Sequence, residues 1–558
     1  MSKDNTAIGL DGILKELGAF GKYNIINYAL YLFPCLLAGM YGQVFVFEAY
    51  KIDFRCQISE CEGINETKWI QYAIPREKDS EFLSKCDRYS FNKNITVNNS
   101  TCTWDSISNI FDTSKQEKCF SYVYDNPGSV VGDFDLGCQE WKRNLIGTLH
   151  NTGLFISLPL TGIVSDRYGR KVALSIAALM NCICGLLRSF AVNYYMMVVL
   201  EFLEGALGAG AYTTAFVLAM ELVGPKGRVF GNTVINVVYV FGLMTLSGLS
   251  WWLKDWRTLL RVIYTPSLLI FSYLWILNES VRWLISKNRH EEALAILRKA
   301  AKMNKVELSD QGLIPICQKE KDTMQLEKDE DKPNVDENNH MCREKPSVFL
   351  QVIRSSIILK RLLTCSFLWI TCTFVYYGLS INSVSLAGNM YINFMLVAFV
   401  EIPANFCCLI ILDRFGRKKV LIPFYILSAI LCIGLSFIPK DMSILSLIVY
   451  LSGKFTITVA YSSVYIYVSE VFPTNVRQSL LAICSSTGRV GSTLAPMTPL
   501  LATWHKDLPS LFFGTLAVSA GLLVFTLPET LNQSLPDTIE EAERLNAAGA
   551  ARDRQSAA

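Results

Sequence analysis

A short charged signature occurs twice in this chain, about half its length apart. Asp166-Arg167-Tyr168-Gly169-Arg170-Lys171 follows one apolar run, and Asp413-Arg414-Phe415-Gly416-Arg417-Lys418 follows another 247 residues later. Glu221 stands seven residues before Arg228 and Glu470 seven before Arg477, an offset of 249 between the pairs. Asn278-Glu279-Ser280 and Pro528-Glu529-Thr530 add a weaker third pair, 250 apart. Offsets agreeing within three residues mark a tandem duplication. The chain must therefore build two like halves.

Those halves belong in a membrane. Of 558 residues, 51% are hydrophobic and only 18% charged, below the roughly 25% of soluble domains. The apolar residues gather into twelve runs: 25–47, 143–164, 172–190, 194–219, 230–252, 258–278, 358–380, 389–411, 420–438, 442–468, 479–501 and 509–528. Most reach the about 20 residues that a spanning helix needs. The expected fold is an all-α membrane protein of twelve transmembrane helices in two six-helix halves. Short loops at 165–171, 224–230, 413–419 and 473–478 are rich in Lys and Arg, whereas those near 191–194, 381–389 and 502–508 have few. Positive loops stay cytosolic, which places the signature loops and both termini there. No cleavable signal pattern precedes the first span, because Asp4, Asp11, Lys15 and Glu16 interrupt it. Residues Ile13–Phe20 are expected along the inner surface. A net charge of +3 carries no nucleic-acid message.

The expected organisation is a cytosolic segment 1–24, a first half 25–278, a cytosolic linker 279–357, a second half 358–528 and a cytosolic tail 529–558. The first half includes an outward loop at 48–142. That loop holds Cys56, Cys61, Cys86, Cys102, Cys119 and Cys138, which predicts three disulfides in an oxidising space, with fifteen pairings open. Sequons at Asn65, Asn94, Asn98 and Asn99 predict glycans there, with one expected on the adjoining last two. In the linker, Glu291–Lys302 reads as an amphipathic helix with Ala293, Leu294, Ile296, Leu297 and Ala300 on its apolar side. The stretch Lys319–Lys345 is mostly charged or polar and is expected to be disordered.

Charges within the apolar runs point to function, since each costs at least about 2.5–3.5 kcal/mol at bilayer depth. Glu401, Lys454 and Arg489 all fall in the second half. Glu401 and Lys454 can neutralise each other. Arg489 has no neighbour of opposite charge in its own run, so it either receives an anionic group of a solute or braces Glu201 or Glu204 of the fourth run; the first reading is favoured. His150 and Arg188 read as structural residues near helix ends. Tyr212, Trp369, Tyr376, Tyr377 and Tyr461 are aromatic candidates for holding an ammonium group. Gly205, Gly208 and Gly210 in the fourth run read as close-packing positions. No cysteine–histidine spacing fits a metal, no Gly-rich phosphate loop is present, and no nucleophile–base pair stands out; an enzyme is not expected. The repeated charges read as gates: Asp166 with Arg170, Glu221 with Arg228, Asp413 with Arg417 and Glu470 with Arg477, holding helix ends within each half and across to the other.

These features resemble the major facilitator superfamily. Within it the chain is similar to the organic cation, carnitine and organic anion transporter family along nearly its whole length. The resemblance rests on the cysteine-rich first loop followed by Ser165-Asp166-Arg167-Tyr168-Gly169-Arg170-Lys171, and on Leu17-Gly18-Ala19-Phe20-Gly21-Lys22. It rests also on Asp255-Trp256-Arg257, on Glu279-Ser280-Val281-Arg282-Trp283-Leu284 and on Glu470-Val471-Phe472-Pro473-Thr474-Asn475-Val476-Arg477. Asn278 and Val281 stand where the family usually has prolines. Cation-carrying members have an Asp where this chain has Arg489, whereas anion and zwitterion members have Arg. The phrases around Glu401, Lys454 and Arg489 look most like the carnitine-type branch. The resemblance implies substrate contacts at Tyr212, Trp369, Tyr376, Glu401, Lys454, Tyr461, Ser485 and Arg489.

The expectation is a polyspecific plasma-membrane secondary transporter of small organic cations and zwitterions. It needs no cofactor beyond a coupling ion, sodium or proton, and no obligate protein partner. The alternatives are an organic anion exchanger and a non-transporting receptor or scaffold on the same fold. A sugar facilitator fits less well, because Arg489 and Glu401 suit charged solutes.

Overall fold

The computed structural model describes residues 12–13, 16–18, 21–59, 61–62, 69–76, 82–91, 110–125, 128–223, 228–307, 354–439, 441–473, 476–531, 536 and 539–544. Its helices fall into twelve spans. The first is Lys22–Tyr41 continued by Phe45–Glu48, the second Glu140–Tyr168 and the third Arg170–Arg188. The fourth runs Tyr194–Leu203, a π turn Glu204–Gly208, then Gly210–Leu222. The fifth is Arg228–Leu253, and the sixth is broken into Trp256–Tyr264, Ser267–Phe271 and Tyr273–Ile276. The second half has Ser356–Asn382, Met390–Phe399 continued by Glu401–Phe415, Arg417–Leu435 and Ser443–Val471 as spans seven to ten. Span eleven is Arg477–Leu494 with Thr498–Trp504, and span twelve is Leu508–Val524.

Among the described residues, nine helices are both long and apolar enough to cross a membrane. Spans two and eleven are not among them, and span twelve is one residue short of the 18 required. Spans two and eleven carry Asn144, His150 and Asn151, and Ser485, Ser486, Thr487 and Arg489, respectively. Polar groups in a spanning helix are tolerated where they face protein or a wet cavity, so low hydropathy marks these two spans as interior.

The duplication shows in the packing. Span one packs on span five as span seven packs on span eleven. The halves meet where span two crosses span eleven and where span five crosses span eight, and the repeat exchanges these contacts. Spans one and five touch backbone to backbone: a Cβ on Gly39 would strike Tyr239 O, and one on Gly242 would strike Leu36 O. In span eleven a Cβ on Gly491 would strike Ile370 O of span seven. Close approach is how helices associate where lipid supplies no hydrophobic drive.

The signature turns are superimposable pieces of chemistry. Span two ends at Gly169 (φ 104°, ψ 158°) and span eight at Gly416 (φ 98°, ψ 162°), a conformation that only glycine adopts readily. Each glycine leads straight into the next helix, whose first amides need acceptors. Glu279 accepts from Arg170 N at 3.0 Å and Lys171 N at 3.2 Å; Glu529 accepts from Arg417 N at 2.9 Å and Lys418 N at 3.1 Å. The weakest of the three sequence repeats is thus a carboxylate capping a helix that starts over 100 residues earlier. Trp283 Nε1 donates to Asp166 O at 3.1 Å and closes the same corner.

Between spans one and two stands a small β domain, where the sequence predicts only a disulfide-bonded loop. Strand β1 (Phe54–Cys56) pairs antiparallel with β4 (Tyr122–Tyr124), and β2 (Asp87–Phe91) with β3 (Phe111–Lys118). Its core joins Ile58, Trp69, Ile74, Ile110 and Phe111. Disulfides join Cys56 to Cys119 and Cys86 to Cys138, and Cys61 is also disulfide-bonded. Cys102 and the four sequon asparagines, Asn65, Asn94, Asn98 and Asn99, lie outside the described residues. Trp256 Nε1 and Arg257 Nε both donate to Asp133 at 2.9 Å, which ties the end of the loop to span six.

The linker helix is His290–Asn304, with Ala293, Leu294, Leu297, Ala300 and Ala301 buried. Ile13 and Leu17 bury against it, so this part of the N-terminal segment packs on the linker helix.

Candidate functional site

A cavity of about 230 Å³ lies between the halves. Of the nine residues expected to bind substrate, it brings together six: Tyr212 from the first half, and Tyr376, Tyr377, Glu401, Tyr461 and Arg489 from the second. Trp369, Lys454 and Ser485 are not in its wall. Trp369 stands behind it, edge-on to Tyr461 with ring centroids 5.8 Å apart. Asn236, Tyr239, Asn405 and Ser462 are lining residues that the sequence did not single out. Tyr239 pairs edge-to-face with Tyr212 at 5.7 Å. Tyr239 lies three residues before Gly242, whose contact with span one fixes the helix; that spacing is the only sequence trace of its place.

Glu401 and Lys454 form a closed unit. Their charged atoms are 2.9 Å apart, and Tyr376 donates its hydroxyl to the other Glu401 oxygen at 2.6 Å. Lys454 also donates to Tyr376 O at 3.1 Å and Ser380 Oγ at 2.7 Å, and lies 3.2 Å from the centre of the Tyr376 ring. An ammonium has three donors, and all three are engaged. Lys454 therefore acts on the cavity through Glu401 and Tyr376.

Arg489 differs. Among the described residues it has no carboxylate in ion-pair range. Tyr212, Tyr239, Tyr377 and Tyr461 line the cavity with it. Glu201 and Glu204, the acids it could have braced, are engaged elsewhere. Glu201 pairs with Arg188, and His150 Nδ1 lies 2.9 Å from Glu201 and 3.2 Å from Glu204. Arg188 also pairs with Glu48 at 2.8 Å. All five residues are buried. This corrects one expectation: His150 does not stand near a helix end but sits within Glu140–Tyr168, well inside span two. The sequence hides the cluster because Glu48 and Arg188 end their apolar runs, where charge normally meets water.

The gating candidates group at the signature-loop end, each pair within one half. Arg170 pairs with Asp166 at 2.7 Å and Glu221 at 3.7 Å; Arg417 pairs with Asp413 at 3.5 Å and Glu470 at 2.9 Å. Glu221 accepts from the Ser280 hydroxyl, and Glu470 accepts from Thr530 at 2.6 Å. Arg477 donates to Phe472 O at 3.2 Å, so Glu470 takes Arg417 as its partner, not Arg477. A helix begins at Arg228, whose side chain lies outside the described residues. The opposite end is closed by packing: Phe47 meets Tyr391 and Phe394 at centroid distances of 5.7 and 4.9 Å, and Ser247 Oγ donates to Tyr391 O at 2.7 Å.

Known proteins share this architecture. Residues 91–542 match the family described as sugar (and other) transporter. The organic cation transporter protein of Drosophila melanogaster is 32% identical over 96% of this chain and 95% of its own length. Solute carrier family 22 member 2 of Mus musculus is 30% identical over 96% of each chain. The partially occluded inward-open structure of the xylose transporter XylE from E. coli aligns with a TM-score of 0.55 at 17% identity, covering 90% of this chain and all of that one. At that identity the likeness shows the fold alone. The chain is a multi-pass membrane transporter, not an enzyme, and it belongs to the organic cation transporter family within the sugar and other transporters of the major facilitator superfamily.

Proposed function

We propose that this chain is a polyspecific plasma-membrane carrier of small organic cations and zwitterions, carnitine-like among them, working by alternating access. The observation that carries this reading is Arg489: a guanidinium without a carboxylate partner among the described residues, set among tyrosines in a cavity shared by both halves. A half-buried cation lining a cavity with no fixed counter-charge favours an anionic group on the solute. The tyrosine faces and the Glu401 carboxylate favour an amine at the other end. The names of the relatives support organic cations as a class. In this reading the signature loops and both termini face the cytosol, and the acid–Arg pairs there set how readily that end opens.

The test is uptake into cells matched for surface expression, using tetraethylammonium, carnitine and a dicarboxylate. Carnitine and tetraethylammonium should enter. Arg489→Asp should cut carnitine uptake by about tenfold, the loss of one charge-assisted hydrogen bond, and spare or raise tetraethylammonium uptake. An unchanged solute ranking would make Arg489 a brace. Uptake of the dicarboxylate alone would favour an anion exchanger.

A further inference from the structure

A second cavity, of about 470 Å³, lies between the halves at the end opposite the signature loops. The first half lines it with the end of span one and the start of span two. The second half lines it with the end of span seven, the start of span eight and part of span eleven. It shares no lining residue with the central cavity. Phe45 stands at the partition. It lines this peripheral cavity, and its ring is 5.5 Å from that of His150, which lines the central one. A Cβ on Gly147 would come to 2.6 Å from the Phe45 ring and 3.0 Å from Pro496 Cβ, so a glycine there lets the halves close on Phe45.

One side of the peripheral cavity is apolar: Phe45, Val46, Ile381, Met390, Pro496 and Pro499. The other carries donors in need of an acceptor. Asn144 is only 7% exposed, and its Nδ2 is buried without a hydrogen-bond partner. Arg143 pairs through Nη2 with Glu140 at 2.7 Å, which leaves its Nε buried and unpartnered. A buried donor left unpaired is costly. An apolar wall with a few convergent polar groups is the form of a small-molecule site, and a guanidinium beside an amide suits a carboxylate.

Charge counting selects the occupant. Among the lining side chains and their ion-pair partners, Lys51, Lys85 and Arg143 are positive, and Asp53 and Glu140 are negative. One positive charge remains. A single carboxylate balances it, whereas an organic cation adds to it and a dicarboxylate exceeds it. Water could meet the two donors but gains nothing from the apolar wall.

We propose that the peripheral cavity is a second binding site, for an amphipathic monoanion. Its carboxylate sits on Arg143 and Asn144, and its apolar body lies against Phe45 and the two prolines. Such an occupant touches both halves. It therefore favours the arrangement in which this end is closed, and slows the transport cycle without entering the central cavity. The site itself stands whatever the central cavity carries; the effect on the cycle alone rests on the carrier reading.

The test is titration calorimetry of the full-length protein in detergent, with 2-naphthoate as probe. Arg489→Asp is introduced first, so that the central cavity offers no guanidinium. This variant should still bind 2-naphthoate saturably, one per chain. Adding Arg143→Met should weaken that binding by about tenfold, the loss of one charge-assisted hydrogen bond. Asn144→Leu carries the same expectation if Arg143→Met does not fold, and uncharged 2-naphthamide should bind more weakly than the acid. Heat that never saturates is partition into detergent and overturns the proposal. So does binding lost with Arg489→Asp, which places the acid in the central cavity, or binding indifferent to both Arg143→Met and Asn144→Leu. In cells that take up tetraethylammonium, external 2-naphthoate should lower the maximal rate and leave KM unchanged. A raised KM alone, or no inhibition, overturns the effect on the cycle. Absence of any tetraethylammonium uptake would fail the carrier reading and leave the calorimetry to decide the site.

Discussion

The two halves share a frame and differ in their buried charge. Both have a glycine at positive φ, a distant glutamate capping the next helix, and an arginine pairing with two acids at one end. Inside the membrane the likeness stops. Around the cavity the second half holds a balanced pair, Glu401 with Lys454, and Arg489, which has no carboxylate in ion-pair range among the described residues. The first half holds three acids around one arginine and one histidine. What repeats is the hardware for turning one helix into the next at the signature loops. What does not repeat is the charge each half brings to the cavity wall: Arg489 and Glu401 from one, His150 and Glu204 from the other. A duplicated frame constrains mechanics, and the free interior then diverges toward chemistry.

The largest effect should come from unbalancing the interior. Removing one partner of a buried ion pair costs about 3–5 kcal/mol. Arg188→Leu strands three acids, whereas Lys454→Met strands one. Both should lower the melting midpoint, Arg188→Leu by more. Glu401→Gln should restore most of the loss in Lys454→Met, because it removes the single stranded charge. No single Glu→Gln change should restore Arg188→Leu. Equal losses with equal rescue would erase the asymmetry.

The shared frame is probed by its glycines. Gly169→Ala and Gly416→Ala each force alanine into a region costing about 1–3 kcal/mol. A Cβ at Gly169 also collides with Glu279 Oε2, and one at Gly416 comes to 2.8 Å from Glu529 Oε2. Both variants should lose folded yield by fluorescence-detected size exclusion, Gly169→Ala somewhat more. If only one half is sensitive, the turns are not mechanically equivalent.

The gates should differ more finely. Arg417 meets Glu470 through three hydrogen bonds of 2.9–3.1 Å, whereas Arg170 stands 3.7 Å from Glu221. Glu470→Gln should therefore slow turnover more than Glu221→Gln. A clamp worth about 1 kcal/mol shifts conformer populations about fivefold. The readouts are initial rates and reactivity of a cysteine placed near Arg417, with the solute ranking unchanged. A changed ranking would assign these acids to the binding site.

Much of this frame is legible in the sequence, because its parts are local or repeated. Six-residue signatures, runs of apolar residues and lone charges within them need no knowledge of contacts. Arg489 stands out for the same reason: four residues on either side hold no acid. The first-half cluster is illegible because it joins Glu48 to Glu204 across four spans, and because charges at run ends read as exposed. The β domain is missed for another reason. Its strands are three to eight residues long, and the β3 burial pattern shows no alternation to betray it.

The smallest expected effect concerns that domain, which only the first half carries. Arg55 grips Glu62 with two bonds of 2.5 and 2.8 Å, and Ile58 N adds a third at 3.2 Å. The Arg55 hydrogen bond holds the Glu62 carboxyl below its ordinary range. A depressed carboxyl stabilises the fold above its unfolded pKa, near about 4.3, and that contribution fades as the pH falls through the folded value. The pair is partly solvated, with 31% and 25% of its side chains exposed, so screening keeps its worth under about 1 kcal/mol. Glu62→Gln should speed amide exchange in β1 and β4 at neutral pH and flatten its dependence below about pH 5, leaving the spans untouched. Faster exchange in spans one and two as well would mean that the domain is not an independent insertion but part of how the first half holds its acids in place.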